Sequence, residues 1–240
     1  MRHDSGSEMV NMQNEYLEVV EDKRLSRAEI EALSRHGKPC RLLRCDLAEL
    51  DLSGLTLTGW GFDSCTLKQA ELMGTKLQAS VWASCRGGFA EFVGSDLREA
   101  EITGCDFNNG NFRGANLTAA KVLRCKLTGA NLAEVKSLNT SFEETLFADA
   151  RLPNFSFRKV VLKKLDFQMA DLRNGDFRQA VFEECSLRDA NLAGCRFDGA
   201  DLRGADLGGV RLFDAKQFKG ATISRAQAGQ LLAELGLNVQ

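Results

Sequence analysis

The chain has 240 residues, a formal net charge of −2, 44% hydrophobic and 27% charged residues. That balance describes a folded globular chain and excludes both a strongly basic nucleic-acid binder and a strongly acidic mimic by net charge alone. No apolar run approaches the length of a membrane span, and the start MRHDSGSEMVNMQNEY is too polar for a signal peptide, so a cytoplasmic protein without membrane attachment is expected.

Residues 1–38 read as an N-terminal extension ending in a capping helix. Within LSRAEIEALSRHG, Ser26-x-x-Glu29 has the capping-box pattern and Gly37 closes the helix. From Leu42 to Leu212, every fifth position is a large apolar residue at 33 of 35 sites, and 11 of the 15 Phe fall on this one register. A helix face repeats every 3.6 residues and a strand face every 2, so a period of five builds neither. Gly87 and Ser137 are the exceptions, each followed within two residues by an apolar side chain (Phe89, Leu138). Two residues before the centre the side chain is usually small (Ala70, Ala100, Ala115, Ala130), with Asp or Asn often between. The pattern predicts a coil over residues 39–220 with centre and small residue inward and the other three outward. Four five-residue sides make a square turn of about 20 residues. Nearly nine such turns at ~4.8 Å spacing make a rod of about 40 Å.

All eight cysteines occupy the small inward site. Cys45, Cys65, Cys85, Cys105 and Cys125 follow one another at steps of 20, and Cys185 lies three turns further along the same column. They read as a buried structural stack of free thiols. With no CxxC, and with His3 and His36 as the only histidines, a zinc site is not expected, nor is any other cofactor. No shielded acid–base pair or nucleophile constellation can be assembled, so no catalytic residues are assigned and an enzyme is not expected.

On the outside, Glu143-Glu144, Lys163-Lys164 and Glu183-Glu184 are spaced to form an acid, base, acid ladder. Asp51, Glu71 and Glu91 stack with like charge, with Asp96 one side along. Arg158, Lys159, Lys163, Lys164 and Arg178 form the main basic patch. It contains no interleaved aromatics for base stacking, so direct nucleic-acid binding is not expected.

The stretches ANLTA, ANLAE, ADLRN, ANLAG, ADLRG and ADLGG resemble the pentapeptide-repeat family, with its pattern Ala-(Asp/Asn)-Leu-X-X. The resemblance covers roughly residues 40–215 and implies an all-β solenoid, a right-handed quadrilateral β-helix. Residues 221–240 carry Ser224-x-x-Gln227, a second capping-box pattern, then a helix closed by Gly236. The ending QLLAELGLNV is similar to that of the quinolone-resistance (Qnr) members. That likeness implies a tail-to-tail homodimer through Leu231, Leu232, Leu235, Leu237 and Val239; a simple monomeric cap is the alternative. It also implies duplex-DNA mimicry toward a type II topoisomerase (DNA gyrase or topoisomerase IV), with quinolone or toxin resistance as the outcome. The acidic column Asp51, Glu71, Glu91 and Asp96 would then meet the partner. The competing expectation is a general protein-interaction scaffold or bacterial effector module, which the neutral rod with its basic patch suits equally well.

Overall fold

A computed structural model describes residues 16–210, 215–234 and 236–238. The chain winds into a parallel β-solenoid of about nine turns, with one short strand per turn on one side. These strands are β1 (Glu18–Glu21), β2 (Cys40–Leu43), β3 (Gly61–Asp63), β4 (Val81–Ala83), β5 (Glu101–Thr103), β6 (Lys121–Leu123), β7 (Ser141–Glu143), β8 (Val161–Lys163) and β9 (Val181–Glu183). They pair consecutively, with Phe62 beside Trp82 and Trp82 beside Ile102, so the turn is 20 residues. This side is face 1. Faces 2, 3 and 4 follow in chain order and are joined by isolated bridges such as Asp46↔Thr66, Asp51↔Glu71 and Thr56↔Lys76.

The period of five has a backbone cause. The residue two after a centre adopts a left-handed conformation, for example Arg44 at φ 52°, Glu49 at 58°, Gly54 at 71° and Gly59 at 73°; Gly204, after Leu202, is the exception among the described residues. Such corners turn the chain and start a new side. Glycine fills many corners because an L side chain there is strained. Phe89, at φ 60°, is a bulky exception.

The centres fill the axis. Their rings stack turn on turn: Phe62 on Trp82 at 3.9 Å, Phe92 on Phe112 at 4.7 Å, Phe177 on Phe197 at 5.0 Å. The small inward alanines are fully buried beside them. Phe89 and Leu138 do not replace the missing centres. Both point outward, 53% and 70% exposed. The ring of Phe107 occupies the space above Gly87, where a Cβ would sit 2.6 Å from it.

The ladder starts at Glu18, inside the segment read as extension and cap. Strand β1 pairs with β2 at a separation of 22 residues, Glu18↔Cys40, and helix α1 (Arg27–Ser34) lies within that longer turn. Its capping box is formed as expected: the Ser26 side chain takes the Glu29 N–H while Glu29 reaches back to the Ser26 N–H. Val20, Leu25 and Ile30 close this end of the core.

At the other end two short strands, β10 (Cys185–Ser186) and β11 (Ala205–Asp206), pair before the cap. The unbroken register read through Leu212 ends earlier. Phe177 N–H donates to the Arg196 carbonyl, 19 residues on, but Phe197 N–H donates to Gln217, 20 residues on. One residue has been added after Gly208, whose carbonyl still receives the Asp189 N–H in the old register. Phe218 therefore becomes the last centre, its ring 4.9 Å from that of Phe197. Leu212 lies outside the described residues. Helix α2 (Arg225–Glu234) then covers the rod end.

Among the described residues the ladder leaves its register at the Glu184 corner, where Cys185 N–H donates to the Gly204 carbonyl and Glu184 N–H makes no inter-turn bond, and more widely between β7 and β8. Strands β7 and β8 share a single pair, Glu143↔Lys163, where their neighbours share three. The inter-turn hydrogen bonds that the register requires at the N–H groups of Glu134, Ser137, Asn139, Ser156 and Val161 are not made. The lapse coincides with a cluster of bulky side chains at inward sites that are small in the turns on either side. Val135 and Phe155 stand at consecutive levels of an inward column that holds Ala115 before them and Gly175 after them, and Val160 stands between Thr140 and Ala180 in the next column. Single bulky residues at this kind of site, such as Trp60 and Leu165, leave the inter-turn bonds in place; what distinguishes the lapse is Val135 and Phe155 at consecutive levels with Val160 beside them, an overpacking that the small Ser137 centre does not relieve.

Candidate interaction surface

A filled axis leaves the outer columns as the place to meet other molecules. On face 3, Asp51, Glu71 and Glu91 lie in register, Asp51↔Glu71 and Glu71↔Glu91. The column is not uncompensated at its end. Arg27, carried by α1, places Nη1 3.1 Å from Asp51 Oδ1 and donates to the Asp51 carbonyl at 2.8 Å. Hydrogen bonds from Ser53 to the Asp51 carboxyl, with Arg27 as a smaller influence, hold it below the usual carboxylate range. Glu91 accepts a 2.8 Å hydrogen bond from Asn111 Nδ2. Asp96 lies around the corner on face 4, beside Lys76, and Arg98 grips it with Nε at 2.8 Å and Nη2 at 2.6 Å. Glu71 and Glu91 remain as the carboxylates of the column that no ion pair engages among the described residues.

The Asp96–Arg98 clamp recurs, and the sequence reading missed it. Asp171–Arg173, Asp176–Arg178 and Asp201–Arg203 form the same fork-on-carboxylate pair, and in each the aspartate also accepts the arginine's own N–H. The signal was present as Asp-Leu-Arg or Asp-Phe-Arg: residues on either side of an inward centre both point outward. Each guanidinium holds its carboxyl below the usual range. These clamps consume charge that would otherwise face a partner.

The acid, base, acid ladder is in register, Glu143↔Lys163 and Lys163↔Glu183, with one ion pair across it, Lys164 to Glu144 at 3.3 Å. Such exposed pairs are worth about 0–1 kcal/mol each. In the basic patch Arg178 is clamped by Asp176, whereas Arg158, Lys159 and Lys163 form no ion pair among the described residues.

The thiol column is wholly interior. Cys45, Cys65, Cys85, Cys105, Cys125 and Cys185 are buried and unpaired by disulfides, as are Cys40 and Cys195. Five of the six donate from Sγ to a carbonyl of the turn below: Cys45 to Val20, Cys65 to Leu42, Cys85 to Phe62, Cys125 to Ile102 and Cys185 to Leu162, at 3.3–3.5 Å. Thr145, in the same column, makes the equivalent bond to Val122. Burial pushes the Cys45 and Cys185 thiols up, and that of Cys195 up to about 12. No group of three or more His, Cys, Asp or Glu among the described residues could hold a metal ion.

At the C-terminal end Leu231 is 7% exposed and packs into the chain's own core, while Leu232 and Leu237 face outward. Leu235 and Val239 lie outside the described residues. The expected second capping box is formed, Ser224 N–H to Gln227 Oε1 at 2.7 Å and Gln227 N–H to Ser224 Oγ at 3.1 Å. Gln227 also does what the pattern did not announce: its Nε2 donates to the carbonyls of Leu202 and Ala205, both at 2.7 Å.

A four-sided parallel coil, filled by stacked centres and turned by left-handed residues spaced five apart, defines a structural repeat protein. The repeats are those of the pentapeptide-repeat family, to which the chain belongs: the family model matches residues 95–133, 140–179 and 180–216. Among solved structures the chain is similar to a trypsin-treated variant of QnrB1, a plasmid-mediated fluoroquinolone resistance protein. The TM-score is 0.55 at 17% identity, covering 94% of this chain and 96% of that one. Full-length QnrB1 aligns with a TM-score of 0.53 at 19% identity, covering 78% and 97%. HetL, a pentapeptide-repeat protein from Nostoc sp. involved in heterocyst differentiation regulation, aligns at 20% identity over 83% and 92% with a TM-score of 0.37. No curated protein matches the chain in sequence. Among the described residues no helix is long and apolar enough to cross a membrane.

Proposed function

We propose that the chain is a non-catalytic interaction rod that engages a type II topoisomerase, DNA gyrase or topoisomerase IV, in place of duplex DNA. In this reading it acts in the cytoplasm as a tail-to-tail homodimer and modulates quinolone or toxin sensitivity. The observation that carries the reading is the end-to-end correspondence with QnrB1, a fluoroquinolone resistance protein, together with the similar C-terminal ending QLLAELGLNV. The acidic contribution comes from Glu71 and Glu91, because Asp51 and Asp96 are already engaged by Arg27 and Arg98. The exposed Leu232 and Leu237 supply the apolar surface for a second copy.

The test is gyrase supercoiling with purified protein, with and without a fluoroquinolone. Protection or inhibition that is weakened by Glu71→Lys with Glu91→Lys supports the reading. No effect on supercoiling and no low-salt pull-down of gyrase by the folded protein would sink it. Light scattering on Leu232→Glu with Leu237→Glu examines the dimer, which should fall to monomer.

A specific observation favours a second reading, a rod for some other protein partner. Internal clamps neutralise much of the surface, and three cations that form no ion pair among the described residues, Lys136, Arg158 and Lys159, stand together on face 4. A DNA-like surface would show the reverse.

A further inference from the structure

The lapse in the ladder coincides with three other features. The family model skips residues 134–139, the segment that forms the lower lip of the opening. The side chain at its middle, Leu138, is the most exposed large apolar residue among the described ones, 70% open to solvent. On the upper lip Val161 is 47% exposed. Around them stand Lys136 beside Leu138 and, one turn on, Arg158 and Lys159, none of them ion-paired among the described residues. The carboxylates nearby on faces 3 and 4 are taken, Glu134 by Arg113 at 2.9 Å and Asp176 by Arg178. On face 1, beside Val161, Glu143 stands in register with Lys163; on face 4, around Leu138, positive charge is in excess where main-chain N–H groups lack their inter-turn partners.

We propose that this opened corner, built by Lys136, Leu138, Arg158, Lys159 and Val161, is a docking site for an acidic, extended peptide segment carrying large apolar side chains. Carboxylates answer the three cations. Large apolar side chains of the peptide cover Leu138 on face 4 and Val161 around the corner on face 1. The peptide's carbonyls can take the N–H groups of Ser137 and Asn139 that the next turn leaves unmatched, as a strand does at any open sheet edge. A nucleic acid fits less well. Its phosphates would meet the cations but nothing on it pairs with Leu138, and Phe89, the exposed ring a base could stack on, sits on face 2 in another turn. The site does not depend on the topoisomerase reading, which uses face 3 carboxylates.

The experiment is fluorescence anisotropy of the full chain with a short labelled peptide alternating Asp and Leu. Its Asn/Leu counterpart, an Asp/Ser counterpart and a labelled duplex DNA are run in parallel. Hydrogen exchange follows residues 134–142 and 153–161. The Asp/Leu peptide should bind and slow exchange in both segments. Affinity should fall roughly ten-fold in Arg158→Glu with Lys159→Glu and several-fold in Leu138→Ser, and hold in Lys68→Glu with Arg124→Glu, which makes the same charge change elsewhere. All of these side chains are at the surface, so the variants should fold. Absence of binding, equal loss in the distant charge variant, equal binding of the Asp/Ser peptide, or preference for the DNA would each overturn the proposal, the last by making the patch a phosphate reader.

Discussion

Replacing Gln227 by Met should destabilise the C-terminal end of the rod far more than its place on a short helix suggests. In the column that ends at Ala205, each carbonyl accepts an N–H from the turn above: Cys45 from Thr66, Cys65 from Arg86, Cys85 from Asp106, Cys105 from Lys126 and Cys125 from Leu146. In the neighbouring column, carbonyls such as those of Leu42, Phe62 and Ile102 receive a thiol from that same turn. At Leu202 and Ala205 the coil stops, and one side-chain amide takes both places. Met keeps the volume and loses all three side-chain bonds. The capping-box share is about 1 kcal/mol. An orphaned Ala205 carbonyl adds about 1–3 kcal/mol, while Leu202 keeps the Ala205 N–H and adds little. The total is about 3 kcal/mol. Ser224→Ala removes only part of the capping box and should cost about 1 kcal/mol. Urea unfolding followed by circular dichroism measures both, and hydrogen exchange over residues 197–210 reports whether the loss is confined to the last turn, as nearest-neighbour coupling in a solenoid requires. If the two variants lose the same stability, the amide is not substituting for a missing turn.

The buried thiols should be inert to an aromatic disulfide reagent in the native protein and all eight should react once denaturant unfolds the coil; rapid native labelling of even one would contradict the burial of the column. Asp96, Asp171, Asp176 and Asp201 have depressed carboxyl pKa values in the folded state. Their stabilisation is therefore complete above the ordinary carboxylate range near ~4 and is lost as pH falls through the lower folded values, so urea midpoints contributed by these clamps should hold from about pH 7 to 5 and drop toward about pH 3, modestly given their exposure. Phe89→Asn should raise stability by about 0.5 kcal/mol, since Asn tolerates the left-handed corner better and little burial is lost; a drop in the thermal midpoint would show that the exposed ring holds something in place.

The architecture was legible because one register of large residues runs through Leu207 and each period contains its own corner. What the register could not reveal lies at its departures. Leu138 followed Ser137 closely enough to look like a substitute centre, but a shift of one residue moves a side chain from the axis to the wall. The added residue before Gln217 was invisible because Leu212 still matched the five-residue count. The acidic column was legible as a stack, yet its neutralisation was not. Arg27 reaches Asp51 from a helix in a turn of different length, and periodicity carries no information about that approach.

The two surfaces that remain after these corrections are unlike in origin. Glu71 and Glu91 stay unclamped because the residue two positions on is Met73 and Val93, where a clamp would need Arg. The open corner is marked differently, by large inward residues where neighbouring turns carry small ones. Bulk at Val135, Phe155 and Val160 coincides with main-chain groups that lack inter-turn partners, beside cations that form no ion pair among the described residues. Restoring Ala at Val135 and Phe155, with Leu at Ser137, should therefore close the ladder and stabilise the rod while reducing any binding that depends on the opening. Hydrogen exchange at Asn139 and Val161 is the direct readout. If it stays fast after the three substitutions, side-chain volume is not what opens the corner, and the cause must be sought in the backbone around Pro153.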